Sequence, residues 1–239
     1  MGNVEDADRL FFELANKSRL DILRKLQTEN LKMQEIARRL DLTATEAFRQ
    51  LERLSAASFV QRQPDGAYAL TQYGRLELHF ASSMEFALKN KQYFLNHDVW
   101  ELPSQFISRI GEFSEATLKM GLFETMSGGP RMIWAAQKFM WGISFEPLPQ
   151  PFEEIASQIP KGVEYKILSP QPPVKLPNLE NRTLAYSPVI LVLTEAEAVL
   201  YFRFVDGRMD YASFSGSDPA FLNWVKDLFL YYWEKAKNS

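Results

Sequence analysis

Cysteine is absent from this chain of 239 residues, and histidine occurs only at His79 and His97. Without cysteine there are no disulfides, zinc–thiolate or iron–sulfur sites, thiol nucleophiles or thiol redox switches. Two isolated histidines form no ligand cluster, so no metal or other cofactor is expected. The chain also lacks a G-x-S-x-G elbow, a Walker phosphate loop and a dinucleotide glycine fingerprint. No stretch approaches the ~18 uninterrupted apolar residues that span a bilayer. The start, MGNVEDADRLFF, is acidic rather than signal-like, and Asp6 stands where a myristoylation motif requires Ser or Thr. These absences point to a cytoplasmic protein, free of the membrane, that is not an enzyme.

What the chain has is apolar bulk: 46% hydrophobic residues, with 18 phenylalanines among them, enough for the cores of two domains. A formal net charge of −3 is low for a nucleic-acid binder. Basic residues nevertheless gather locally, as Arg38, Arg39, Arg49, Arg53 and Arg62, and screening within about 8–10 Å makes a local patch effective.

Those arginines fall in the most structured stretch of the sequence, Met33 to Gly74. Ile36, Ala37 and Leu40 repeat at helical spacing, the polar turn Asp41-Leu42-Thr43 interrupts them, and the pattern restarts at Ala47, Leu51 and Leu54. Thr43 with Glu46 three residues on reads as a capping box, starting the second helix near Ala44. Opposite its apolar stripe lie Thr45, Arg49 and Glu52, with Phe48 and Arg53 on the flanks. Such a face suits the major groove, where Arg takes guanine or phosphate in two-point fashion and Thr reaches bases or sugar. The following FVQRQPDGAYALT reads as a hairpin turning at Pro64-Asp65-Gly66. Its tip carries Arg62 and Gln63 toward backbone phosphate.

The string LTATEAFRQLERLSAASFV at 42–60, with LTQYG at 70–74 and NKSRLDILRKL before them, resembles the winged helix-turn-helix regulators of the arsenic-repressor type. The resemblance implies Thr43, Thr45, Arg49 and Arg53 as DNA-facing positions. Gln50 and Arg38, with Arg62 and Gln63 of the wing, complete the candidate DNA-binding set. Metal-sensing members of that family carry Cys and His on the helix before the turn; QEIARRL has neither.

Two amphipathic helices, near 4–16 and 18–27, precede the motif, the second capped by Ser18. After the wing, residues 72–98 form a proline-free linker helix with Leu76, Phe80, Ala87 and Phe94 on one face. That face either packs on its own chain or pairs with a two-fold mate; the second reading is preferred because a dimer gains affinity and site length. From 99 onward the texture is mixed. ELPSQFISRIGEF reads as a helix opened near Pro103; KFMWGISF, GVEYKILS, NRTLAYS, PVILVLT and AVLYFRFV read as strands; Pro149–Ile159 and Asp218–Lys237 read as helices. The fold class is therefore α+β: a winged helix-turn-helix at 1–71, a linker or dimerisation helix at 72–98 and a mixed α/β domain at 99–239.

The last fifty residues, from PVILVLTEAEAVLYFRFV through PAFLNWVKDLFLYYWEKAK, are similar to the C-terminal domain of archaeal regulators described as methanogenesis-regulatory-like. More remotely they are similar to the phospholipase-D-like effector domain of archaeal sugar-responsive regulators. That chemistry needs a His nucleophile in an H-x-K arrangement. His79 is followed by Phe-Ala and His97 by Asp-Val, so the implied domain is catalytically inactive. Glu153-Glu154 and Glu195/Glu197 read as solvated acids, and Gly128-Gly129-Pro130 as a turn. Trp134, Phe139, Trp141, Phe145, Tyr165 and Tyr186 are either core or pocket lining. Trp141, Tyr165, Arg182 and Tyr186 are the candidate ligand-binding residues for a small-molecule effector. The chain thus reads as a homodimeric regulator of transcription binding double-stranded DNA; the acidic balance favours as alternative a winged helix that docks a protein and binds no DNA.

Overall fold

The computed structural model describes residues 4–121, 131–132, 134–144, 162–170 and 179–238. Phe145, the Gly128-Gly129-Pro130 turn, Glu153-Glu154 and the helix expected over Pro149–Ile159 lie outside the described residues. The fold is α+β, in two compact units, Met1–Glu85 and Phe86–Ser239.

The first unit begins with α1 (Val4–Leu14) and α2 (Lys17–Thr28). Asn16, not Ser18, caps α2: its side-chain oxygen accepts the Arg19 N–H at 3.1 Å. The Ser18 hydroxyl is engaged across the unit, donating to Glu46 Oε1 at 3.4 Å. The short β1 (Leu31–Lys32) leads into α3 (Met33–Arg39), and α4 (Ala44–Ala56) follows the turn. The hairpin strands β2 (Val60–Arg62) and β3 (Ala67–Leu70) close an antiparallel sheet of order β1-β3-β2, with Leu31 opposite Tyr68 and Arg62 opposite Tyr68 on its other side. Ile22, Leu23, Ile36, Leu51 and Leu54 are sealed in one core with Phe59 and Leu70.

The expected linker helix is shorter than 72–98. α5 (Gln72–Lys89) stops at Asn90, whose side-chain amide donates to the Phe86 carbonyl, and a single turn, α6 (Lys91–Phe94), follows. The helix expected from Pro103 is likewise broken into α7 (Ser104–Ile107) and a 3₁₀ turn at Ile110–Phe113, because Phe106 and Phe113 are both drawn into the core.

The second unit is built on an eight-stranded sheet: β4 (Thr117–Lys119), β5 (Phe139–Ile143), β6 (Glu164–Ser169), β7 (Leu179–Thr183), β8 (Val189–Thr194), β9 (Ala198–Phe202), β10 (Ser213–Gly216) and β11 (Lys237–Asn238), in the order β11-β7-β6-β5-β8-β9-β10-β4. β5, β6 and β7 run parallel; every other pairing is antiparallel. α8 (Pro219–Lys235), capped by Asp218 accepting the Phe221 N–H at 3.0 Å, covers one face. Phe221, Trp224, Val225, Leu228 and Phe229 of α8 are fully buried with Leu191, Leu200, Phe202 and Phe214 of the sheet. Phe113 sits at the hub, 4.6 Å from the Trp224 ring and 5.0 Å from that of Phe221, both edge-on. Among the described residues, no helix is long and apolar enough to cross a membrane.

Gly74, the last residue of the LTQYG string, is required by close approach: a Cβ there would stand 2.0 Å from the Phe59 carbonyl oxygen. Gly74→Ala is therefore expected to cost about 1–3 kcal/mol, as overpacking against backbone does. All five tryptophans lie at or beyond Trp100, so they report only the second unit. In guanidinium, the helical circular-dichroism signal should show a weakened first unit while the tryptophan transition stays in place; an unshifted transition in both would refute the contact.

Candidate nucleic-acid interface

The angle between α3 and α4 is set by backbone. Leu40 N–H closes the last turn of α3 on the Ile36 carbonyl, Asp41 takes a left-handed φ of 52°, and Leu42 N–H returns to the Ala37 carbonyl at 2.9 Å. Asp is among the few non-glycine residues that tolerate this conformation. Thr43 then caps α4, its hydroxyl accepting the Glu46 N–H at 3.1 Å. Only this half of the expected capping box is formed in the hydrogen bonds observed, since the Glu46 carboxylate turns to Ser18; the reciprocal half occurs one helix earlier, where Glu35 accepts the Lys32 N–H.

α4 buries Ala47, Leu51 and Leu54 completely and exposes Thr45, Phe48, Arg49 and Glu52 on the opposite side. Thr43 and Arg38 are exposed as well. Gln50 is not part of that face. Positions 47, 50, 51 and 54 share one stripe, Gln50 is buried with them, and its side-chain oxygen accepts from Arg19 Nη1 at 3.0 Å.

Arg53 is only in part available. Its guanidinium forks onto Glu13, Nε to Oε2 at 3.1 Å and Nη2 to Oε1 at 2.5 Å, and lies 5.0 Å from the Phe12 ring. Glu13 is buried, and Arg19, buried beside it, reaches its carboxylate at 3.1 Å while donating to the Glu13 and Phe12 carbonyls. The Arg53 hydrogen bond, aided by the charges of Arg19 and Arg9, holds the Glu13 carboxyl below the usual carboxylate range despite its burial. Glu13 and Arg19, which lock α1 and α2 to α4, were not among the residues singled out from sequence, whereas Arg53 and Gln50 were, as DNA contacts. The signal was present: Arg19 stands at the helical spacing of Ile22, Leu23 and Leu26, a charge on an apolar stripe.

On the wing, Gln63 N–H bonds the Ala67 carbonyl at 2.7 Å, Gly66 takes φ +82°, and the Asp65 carboxylate accepts the Ala67 N–H. Arg62 is exposed and Gln63 half-buried. Among the described residues Arg38, Arg49 and Arg62 form no ion pair, whereas Arg24, Arg39 and Arg53 are engaged by Glu85, Glu29 and Glu13. The structure thus leaves unneutralised arginines on α3, on the outer face of α4 and on the wing.

Among the described residues, the candidate ligand residues are split between the two sides of the sheet. Strand alternation sends Met140 and Tyr165 to one side of the sheet and Trp141 and Lys166 to the other. Trp141 is core, stacked at 5.1 Å on Phe229, with its indole N–H donating to Glu164 at 2.7 Å. Arg182 lies 4.4 Å from the Trp233 ring and donates to the Trp233 carbonyl. Tyr165 is buried with Met140 and Val163, its hydroxyl without a partner among the described residues, and burial raises its phenol pKa. Tyr186 is exposed and donates to Glu101. Glu195 is not merely solvated: its carboxylate accepts the Gln137, Lys138 and Phe139 N–H groups and so pins the entry to β5. Among the described residues no three His, Asp or Glu gather where a metal ion could be held.

No family model matches the chain, and no curated protein matches it. Among solved structures it is similar to the archaeal chromatin protein TrmBL2, whose structure shows a novel mode of DNA binding, at 17% identity over 88% of each chain and a TM-score of 0.41. It is also similar to NucT from Helicobacter pylori, at 10% identity over 52% of this chain and 98% of that one with a TM-score of 0.41, and to PigF with SAH, at 14% identity over 71% and 59% with a TM-score of 0.26. These overlaps are too loose to assign a role to any residue.

Glu13→Gln is expected to cost the first unit about 3–5 kcal/mol, because Arg19 keeps its charge in a buried place with its carboxylate partner gone. Since the Glu13 carboxyl is lowered in the folded state, its contribution is full above the unfolded carboxylate value and is lost as pH falls through the folded one. Denaturation of the wild type across that acid range should show a stability decline that Glu13→Gln lacks; matching pH profiles would count against the network.

Proposed function

We propose that the chain is a homodimeric DNA-binding regulator of transcription, with α4 as the reading helix and the β2–β3 hairpin as the wing. The observation that carries this reading is the division of α4 into a fully buried stripe and an exposed face of Thr45, Arg49 and Glu52, set against unpaired arginines on α3 and the wing. Thr45 and Arg49 contact base edges, Glu52 offers an acceptor to cytosine N4, and Thr43 at the cap contacts phosphate. Arg38, Arg62 and Gln63 anchor the DNA backbone. Arg53 serves mainly to hold the helix in place through Glu13. This reading follows the arsenic-repressor-like resemblance of the N-terminal half. The second unit, which resembles an inactive phospholipase-D-like effector domain and lacks the His-Lys pair for that chemistry, is assigned sensing or dimerisation rather than catalysis.

Dimerisation is assigned to α5. Tyr73, Leu76, Phe80, Met84 and Leu88 are 42–72% exposed and recur at steps of three and four, giving a continuous apolar stripe along the helix. Pairing of two such stripes sets two reading heads on one duplex.

Arg49→Ala is expected to abolish specific retention of the gene's own upstream DNA while the protein stays folded, and Arg62→Ala to lower the slope of log affinity against log salt by about one. Arg53→Ala should instead shift the denaturation midpoint. Phe80→Glu should convert the dimer to monomer in light scattering and weaken DNA binding with it. Unchanged binding in Arg49→Ala would sink the assignment of the reading helix. Exposure of Phe48 on the same face of α4, at 52%, favours as second reading a winged helix that docks a protein. Salt-insensitive absence of any gel shift would select it.

A further inference from the structure

A cavity of about 400 Å³ opens within the second unit, walled by Phe94 of α6, Val99, Ile107 of α7 and Ile110 of the 3₁₀ turn. None of the residues singled out from the sequence for ligand binding belongs to it. Its size falls in the range of small-molecule sites, and its lining is mostly apolar. Trp100 forms part of the wall yet is 80% exposed, an unusual position for the largest apolar side chain. We infer that this cavity binds a small organic cation with an apolar body, its charge held by the Asp98 carboxylate.

The charge follows from which polar groups on the wall are already committed. His97 is buried and both its nitrogens are engaged: Nδ1 lies 2.8 Å from the Tyr93 carbonyl and Nε2 2.9 Å from the Asp210 carboxylate. Its ring is further clamped between Tyr93 at 3.7 Å and Phe204 at 4.6 Å, so it offers the cavity an aromatic edge and no spare hydrogen-bonding atom. Asp98 is different. One of its oxygens accepts the Trp100 N–H at 2.7 Å, and among the described residues no Lys, Arg or His forms an ion pair with it. Arg203, whose carbonyl accepts the Asp98 N–H, directs its guanidinium to the Ser187 and Gly207 carbonyls and the Tyr186 ring. The lining therefore presents an anionic group with acceptor capacity to spare together with two aromatic side chains, Phe94 and Trp100. Aromatic faces attract cations through the ring quadrupole, and a carboxylate adds a charge-assisted hydrogen bond. An anionic ligand would meet Asp98 with like charge, and one with no donor would cover this half-buried carboxylate while adding nothing to the Trp100 N–H that it already accepts. The assignment is independent of the DNA-reading proposal, because every lining residue belongs to the second unit.

Three probes of one skeleton, phenylbutylammonium, phenylbutanol and phenylbutyrate, test this by calorimetric titration of the full chain. The ammonium compound is expected to bind roughly tenfold more tightly than the alcohol, the scale of one charge-assisted hydrogen bond, and the carboxylate more weakly than both. Asp98→Asn keeps an acceptor for the Trp100 N–H and should bring the ammonium compound down to the affinity of the alcohol, whose retained binding shows the cavity intact. Trp100→Ala should weaken all three. Absence of binding by every probe, equal binding of all three, or an ammonium preference that survives Asp98→Asn would overturn the inference.

Discussion

Glu13 is one carboxylate shared by two arginines from different helices, and the first unit is organised around it. Arg19 approaches from α2 and Arg53 from α4, while Glu13 itself comes from α1. A buried carboxylate is tolerated only where its charge is answered, and here it is answered twice. Charge balance is completed by geometry, since the remaining donors of Arg19 go to the Glu13 and Phe12 carbonyls and to Gln50. The sealed Leu51 and Leu54 set which face of α4 turns inward, and the forked guanidinium contact of Arg53 ties that helix to α1. The outward face of α4 is therefore what is left after this network has taken its share of the helix, and its exposed chemistry reduces to Thr45, Phe48, Arg49 and Glu52.

That subtraction explains which parts of the molecule could be read from the sequence. Helices α3, α4 and α8 follow from apolar spacing and end groups: Thr43, Asp218 and Pro219 mark starts that backbone chemistry makes nearly obligatory. The α+β class follows from the β-branched runs that become β6, β8 and β9. A helical wheel, however, treats polar as outward: it sets Arg53 on the flank of the DNA face and carries no sign of the Glu13 that holds it. Gln50 lies on the Ala47/Leu51/Leu54 stripe, where its partner comes from a residue far away in the sequence. No local pattern announces a contact of that range. The strands β1, β4 and β10 are too short for periodicity to reveal, and they exist because a longer neighbour offers them a free edge.

In the second unit the same limit appears as a question of which side of a strand a residue occupies. Trp141 and Tyr165 look alike as aromatic residues of neighbouring strands, yet the parallel register pairs Trp141 with Lys166 and Met140 with Tyr165, so they fall on opposite faces. Composition identified aromatic residues and could not assign faces. Trp100 lies outside any periodic element, in the stretch between α6 and α7, so no pattern in the sequence marks it. Its exposure is visible only when the surrounding chain has been folded.

The pairing of β4 with β10 sets the order in which the polypeptide becomes structure. The core of the first unit is drawn from residues between Leu10 and Leu78, in elements that follow one another closely, so that core is complete early in synthesis. The second unit cannot close so soon. Thr117–Lys119 waits for Ser213–Ser215, and the phenylalanines around Phe113 wait for Phe221 and Trp224. Until α8 has been made, a sheet face rich in Leu, Val and Phe is without its cover. The nascent chain thus carries a finished head ahead of an unfinished hydrophobic surface, and the interval between them is the stage at which it most needs protection from aggregation.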